Sequence, residues 1–164
     1  MIDRLDAITS AGLRPVDGRS LAFFRILFGA ILTVAMARYI AKGWVEIHYV
    51  QPQFFFKFTF LEWVTVPPPA VLYAMACGMC GLAACITVGL FTRPALLLFG
   101  LSFAYWEAMD VTNYLNHYIL VILLVGELLL TPCGHTWSLD NWRLGRPQDR
   151  KSTRLNPVTV RSRM

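Results

Sequence analysis

At 164 residues the chain is long enough for one soluble domain, yet 56% of its residues are hydrophobic and only 15% are charged, whereas soluble domains run near 45–50% apolar with about a quarter charged. A soluble domain would still need a polar surface, and long stretches here offer none. The net charge of +5 gathers at the ends of apolar runs rather than on one face, which excludes a nucleic-acid binder and suits an integral membrane protein.

Residues 1–20 form a polar lead-in whose "RPVDGRS" supplies helix breakers. The first predicted span covers about 20–41; its only charges are Arg25 and Arg38, close enough to its ends to snorkel. It starts too late and runs too long for a signal peptide. Residues 43–68 are aromatic-rich and close on the three prolines Pro67, Pro68 and Pro69, the composition of a loop lying along the outer headgroup zone or dipping into it. The second span, about 69–91, is 23 residues without charge, more than the ~20 needed to cross ~30 Å of hydrocarbon. Two shorter spans, about 94–109 and 112–131, make a hairpin around "DVTNYLNHY".

The fold class expected is therefore an all-α membrane protein with four transmembrane helices and both termini cytoplasmic. Arg4, Arg14, Arg19, Arg93, Arg143, Arg146, Arg150 and Lys151 then all lie inside. Lys42 and Lys57 fall outside, against the rule. Residues 1–146 are read as one helical membrane domain. Residues 147–164 have a disordered composition, and "DRKSTRLN" resembles translated adaptor sequence, so the authentic chain is expected to be cut near Arg146.

A continuous helix through "DVTNYLNHY" brings Asp110, Asn113 and His117 within about 60° of one another, with Asn116 on the adjoining stripe and Glu127 about 20° from Asn116 in rotation, roughly 16 Å deeper. Polar groups at that depth are candidates for a site. They suit equally a structural role: Asp110 or Thr112 as a cap, Asn113, Asn116 and His117 as interhelical hydrogen bonders, Glu127 paired with Arg93 or water. Arg25 either snorkels or turns inward to meet Glu127. "CGMC" (Cys77–Cys80) has redox spacing but no base to lower a thiol pKa; Cys77, Gly81 and Cys85 read better as a small-residue face for close helix packing. His48 and His135 lie across the membrane from one another in this topology, so no metal site is expected with His117.

Three stretches, "RPVDGRSLAFFRILFGAIL", "VGLFTRPALLLFGLSFAYWEAMDVTNYLNHYIL" and "HTWSLDNW", resemble in order and spacing the N-terminal membrane region of the vitamin K-dependent gamma-carboxylase family and its bacterial relatives, the horizontally transferred transmembrane (HTTM) proteins. The resemblance runs from Arg14 to Trp142. It implies a carboxylase of the carbon–carbon lyase class that couples oxygenation of reduced vitamin K, or another quinol, to glutamate carboxylation. Its partners would be the bilayer, a quinone and a protein substrate, without nucleic acid or metal, and it would reside in the cell or inner membrane.

By the same resemblance, Asn116 and His117 are the catalytic candidates, positioning the quinol or relaying a proton, and Arg25 matches a first-span arginine. Arg25, Asn113, Asp110 and Glu127 are the cofactor-binding candidates, although Asp110 and Asn113 read better as helix-end hydrogen bonders. The family's catalytic lysine belongs to a segment past "WSLD" that the chain does not reach, so these residues alone are expected to be inactive. Two other classes of function stay open: a non-enzymatic membrane scaffold or partner-binding bundle, and a quinone-coupled thiol–disulfide oxidoreductase using Cys77 and Cys80.

Overall fold

The computed structural model describes residues 18–143 apart from 114, 132, 135 and 136. The expected tail at 147–164, the basic residues before position 18 and His135 lie outside the described residues. Four long helices run up and down, α1 (Gly18–Ala41), α2 (Pro69–Val88), α3 (Thr92–Ala108) and α4 (Asn116–Leu130), followed by the short α5 (Leu139–Arg143). Each long helix packs on its neighbours in sequence. Among the described residues the protein is all-α, as expected.

The apolar spacing explains the packing. On α2 the buried residues are Leu72, Ala76, Met79, Ala83 and Ile86, a three-and-four repeat that makes one helical stripe. This is not the small-residue face expected at Cys77, Gly81 and Cys85. Cys77 and Gly81 are exposed and Cys85 is half-buried, because the larger side chains one step round the helix fill the interface instead. The close approach of α1 to α2 is made by Gly29, where an added Cβ would lie 2.7 Å from Thr87 Oγ1 and 2.8 Å from the Thr87 nitrogen. On the outer faces of the bundle Ile31, Val34, Leu101, Leu123 and Leu130 are all more than 60% exposed, as side chains facing lipid would be.

Two helices, Arg19–Ala41 and Pro69–Val88, are long and apolar enough to cross a membrane. The second stops at Val88 rather than at 91 because Gly89 takes the left-handed conformation (φ 72°) and donates its N–H to Cys85 O, with Leu90 N–H on the same carbonyl at 2.9 Å. α3 has 17 residues and α4 has 15, about 26 and 22 Å at 1.5 Å per residue. The fourth predicted helix, 112–131, is shortened at its start: Val111–Asn113 is a separate 3-10 turn, and Leu115 is extended (φ −124°, ψ 137°) before α4 begins at Asn116.

The expected outer loop is more folded than its composition suggests. Glu46–Val50 forms a π-helical turn, and Val45, Tyr49 and Val64 are buried. Tyr73 Oη donates to Glu46 Oε2 (3.0 Å) and Tyr105 Oη to Thr65 O (2.7 Å), tying the loop to α2 and α3. Phe54, Phe56, Phe60 and Trp63 stay exposed, as an interfacial belt requires. Replacing Gly29 with Ala must push α1 off the Thr87 backbone; a loss of about 2 kcal/mol is expected, measured as a lowered midpoint of thermal unfolding in detergent.

Candidate functional site

The sequence candidates divide between the two ends of the bundle. Arg25 and Tyr39 both lie on α1, fourteen residues and so about 21 Å apart. Arg25 belongs to one end, with Gly89, Thr92 and α5. Tyr39 belongs to the other, with the π-helical turn, the end of α3, the 3-10 turn and the start of α4.

At the first end Arg25 is fully buried and donates from Nη2 to the Trp137 carbonyl at 2.6 Å. Its Nε and Nη1 have no hydrogen-bond partner among the described residues, and Asp140 acts on it as the nearby negative charge. Trp137 is left-handed (φ 48°). That backbone conformation costs about 1–3 kcal/mol in a non-glycine residue, which a charge-assisted hydrogen bond of about 1.5–3 kcal/mol offsets. Asp140 Oδ2 accepts from the Thr92 N–H at 3.1 Å and so caps α3 from 48 residues away, since Phe91 provides no cap of its own. Ser138 Oγ accepts from Asn141 N–H at 3.1 Å and starts α5. Cys133 is buried close by; burial pushes its thiol pKa up, and the charge of Arg25 opposes that. Arg25 therefore meets the "WSLD" segment, not Glu127. Glu127 is exposed on α4, as is Arg93 on α3.

At the other end the extended Leu115 breaks the continuous helix on which Asp110, Asn113 and His117 were expected to share a face. Asp110 is 6% exposed. Its Oδ1 accepts from the backbone N–H groups of Phe56 (3.3 Å) and Thr112 (3.0 Å), and its Oδ2 from Thr112 Oγ1 (2.7 Å) and Asn113 Nδ2 (3.3 Å). The Val111 N–H adds a bond to Phe56 O at 2.8 Å. Asp110 and Asn113 are hydrogen bonders at a turn, and α4 itself has no side-chain cap. Asn116 and His117 are exposed at the first turn of α4, with the His117 ring 4.5 Å from that of Tyr118.

Between these elements opens a cavity of about 480 Å³ lined by Tyr39, Trp44, His48, Trp106, Glu107 and Tyr118, with Asn113 at its rim. A narrower inner pocket of about 30 Å³, room for roughly one water, continues it between Met36, Met79 and Phe103 and shares Tyr39, Trp106, Glu107 and Tyr118. The rings meet nearly at right angles: Tyr39 to Trp106 at 6.0 Å and 82°, Tyr49 to Trp106 at 4.8 Å and 68°. Tyr49 Oη donates to Trp106 O at 3.4 Å, and burial, with Tyr39 and Glu107 adding to it, keeps that phenol neutral by raising its pKa.

Glu107, His48 and the tyrosines were not among the sequence candidates. The criterion that singled out Glu127, an ionisable residue within an apolar span, applies equally to Glu107 in "AYWEAM". Only the fold shows that Glu107 faces a cavity and Glu127 does not.

Because Asp110 joins residues 54 positions apart, Asp110→Ala leaves several donors without an acceptor. A loss of about 3 kcal/mol is expected, with Asp110→Asn milder because it retains one acceptor oxygen. Thermal unfolding in detergent, together with faster proteolysis between residues 51 and 62, measures it.

No solved structure matches this chain. A family model described as the HTTM domain matches residues 13–164, nearly the whole length. The buried arginine docked on "WSLD", the Asp110 turn and the two apolar spans are thus features of a chain that belongs to the HTTM domain family, a transmembrane family.

Proposed function

We propose that this protein is a four-span membrane protein that binds a quinol, reduced vitamin K or a relative, in the aromatic cavity at the Asp110 end. The observation that carries this reading is the cavity itself. Its volume of about 480 Å³ falls within the ~300–1,000 Å³ of small-molecule sites, and it opens at the end of the bundle where Asn116 and His117 stand. Membership of the HTTM domain family, which also takes in the vitamin K-dependent carboxylases, supports it.

The residues present fit a fused aromatic ring. Tyr39, Trp106 and Tyr118 offer flat apolar walls, for which stacked or edge-on ring pairs contribute about 0.5–1.5 kcal/mol each beyond burial. Glu107 and His48 are the polar groups that would orient a hydroxyl. The chemistry the quinol supplies when bound is the oxygenation that drives carboxylation; the part of this chain is to hold and orient it and to exclude water from it. Asn116 and His117 would close the site from α4, with the imidazole donating a hydrogen bond or relaying a proton. Arg25 acts at the other end as a structural residue.

In this reading α3 and α4 cross with α1 and α2, their shortfalls of about 4 and 8 Å against ~30 Å of hydrocarbon taken up by local thinning of the bilayer. By the positive-inside rule, the arginines around positions 4–19, 93 and 143–150 favour a cytoplasmic Arg25 end.

The test is binding of menadiol, a soluble naphthoquinol, to the purified protein in maltoside detergent under nitrogen, followed by tryptophan quenching. Asn116→Ala with His117→Ala is expected to weaken binding about tenfold, while the melting temperature stays put because both side chains are exposed. A membrane scaffold, the second reading, gives no saturable quenching in either protein.

A further inference from the structure

Arg93 and Glu127 are opposite charges on adjoining helices at the same end of the bundle, and they do not meet within one copy. Arg93 is the second residue of α3 and Glu127 stands three residues before the end of α4, so they lie about 1.5 and 4.5 Å from that end. Both are exposed, and neither side chain has a hydrogen bond or an ion pair among the described residues. Each also has the wrong sign for its own helix. A cation opposes the positive N-terminus of α3, and an anion opposes the negative C-terminus of α4.

Apolar side chains flank both charges. On α3, Leu97 (47% exposed) and Leu101 (61%) follow Arg93 at four-residue spacing; on α4, Leu123 (63%) sits four residues before Glu127 and Leu130 (85%) three after it. Such spacings make one stripe on each helix. Only Val125 and Leu128 of the fifteen residues of α4 are buried, against six of the seventeen of α3, so most of the circumference of α4 meets whatever surrounds the copy. Lipid suits the leucines but not the carboxylate, since acids within spans seldom face hydrocarbon.

From this complementarity we infer that the occupant of the face is a second copy of this chain: two α3–α4 hairpins pack face to face about a two-fold axis along the membrane normal. A half-turn about that axis sets α3 of each copy antiparallel to α4 of its partner. Arg93 of one copy then meets Glu127 of the other, twice per dimer, as an isologous contact requires. The same placement sets Glu127 beside the positive end of the partner's α3 and Arg93 beside the negative end of the partner's α4, which relieves the mismatch of sign. Above the ion pairs the leucine stripes pack on one another in place of lipid. The interface is independent of the quinol site, because neither charged residue lines the aromatic cavity.

The experiment measures the monomer–dimer dissociation constant of the full chain by native mass spectrometry in maltoside detergent, and by energy transfer between donor- and acceptor-labelled protein in phosphatidylcholine vesicles, with a melting curve for each variant. The wild type is expected to dimerise in both. Glu127→Arg and Arg93→Glu each bring like charges together and should weaken the dimer at least tenfold. The variant carrying both changes re-forms the pairs with their signs exchanged and should recover most of that loss. Should a reversal melt early, Glu127→Gln and Arg93→Gln take its place, each expected to weaken the dimer severalfold.

A wild type that stays monomeric in detergent and in vesicles leaves this face to lipid and overturns the inference. A dimer that no single change weakens, or that the combined variant fails to recover while melting like the wild type, overturns the Arg93–Glu127 pairing.

Discussion

A carboxylate enclosed by protein has to be met by donors, and at Asp110 they come from two parts of the chain. The Thr112 N–H, Thr112 hydroxyl and Asn113 amide belong to the turn that follows it, but the Phe56 N–H belongs to the long loop between α1 and α2. Satisfying that one charge therefore ties the loop to the hairpin between α3 and α4. The loop segment so held carries Trp44, Ile47, His48 and Tyr49, which make one side of the aromatic cavity; the hairpin carries Trp106, Glu107 and Tyr118, which make the other. The cavity is a consequence of how Asp110 is satisfied.

The opposite end follows the same logic with the opposite sign of charge. Taking a guanidinium out of water costs several kcal/mol unless oxygen atoms and a counter-charge replace the lost hydration. Trp137 O supplies the hydrogen bond and Asp140 the charge, and Asp140 in turn caps α3 at Thr92. Gly89 is required there: its left-handed backbone turns the chain out of α2, and a side chain would collide with the Arg25 guanidinium and Ser138. This lock holds α1, α2, α3 and α5 in register from one end, so the aromatic residues at the other end meet at fixed angles.

Much of the scaffold was legible from residue order alone. The uncharged run from Pro69 and the apolar run from Leu21 became α2 and α1 because no alternative satisfies so many apolar side chains. Asp110 and Asn113 were readable as hydrogen bonders near a helix end, since short polar side chains before an apolar run compete for backbone groups. What was not legible depended on tertiary placement. The extended Leu115 between the 3-10 turn and α4 has no local signal, and it broke the helical face assumed for Asp110, Asn113 and His117. The partner of Arg25 is 112 residues away, beyond any periodicity argument. Glu107 and Glu127 look alike in sequence, each one acid among apolar residues, and only the packing of α3 against α1 and the π-helical turn sets the first against a cavity.

The central claim is that the ligand site lies among Tyr39, Trp106 and Tyr118, about 21 Å along α1 from the buried arginine. The direct measurement is photolabelling of the detergent-purified protein with an azido-naphthoquinone, competed by unlabelled menadiol, with the modified residues located by mass spectrometry. The account predicts competable label on peptides containing Tyr39, His48, Trp106 or Tyr118. Competable label confined to peptides around Arg25, Gly89 and Trp137 would contradict it.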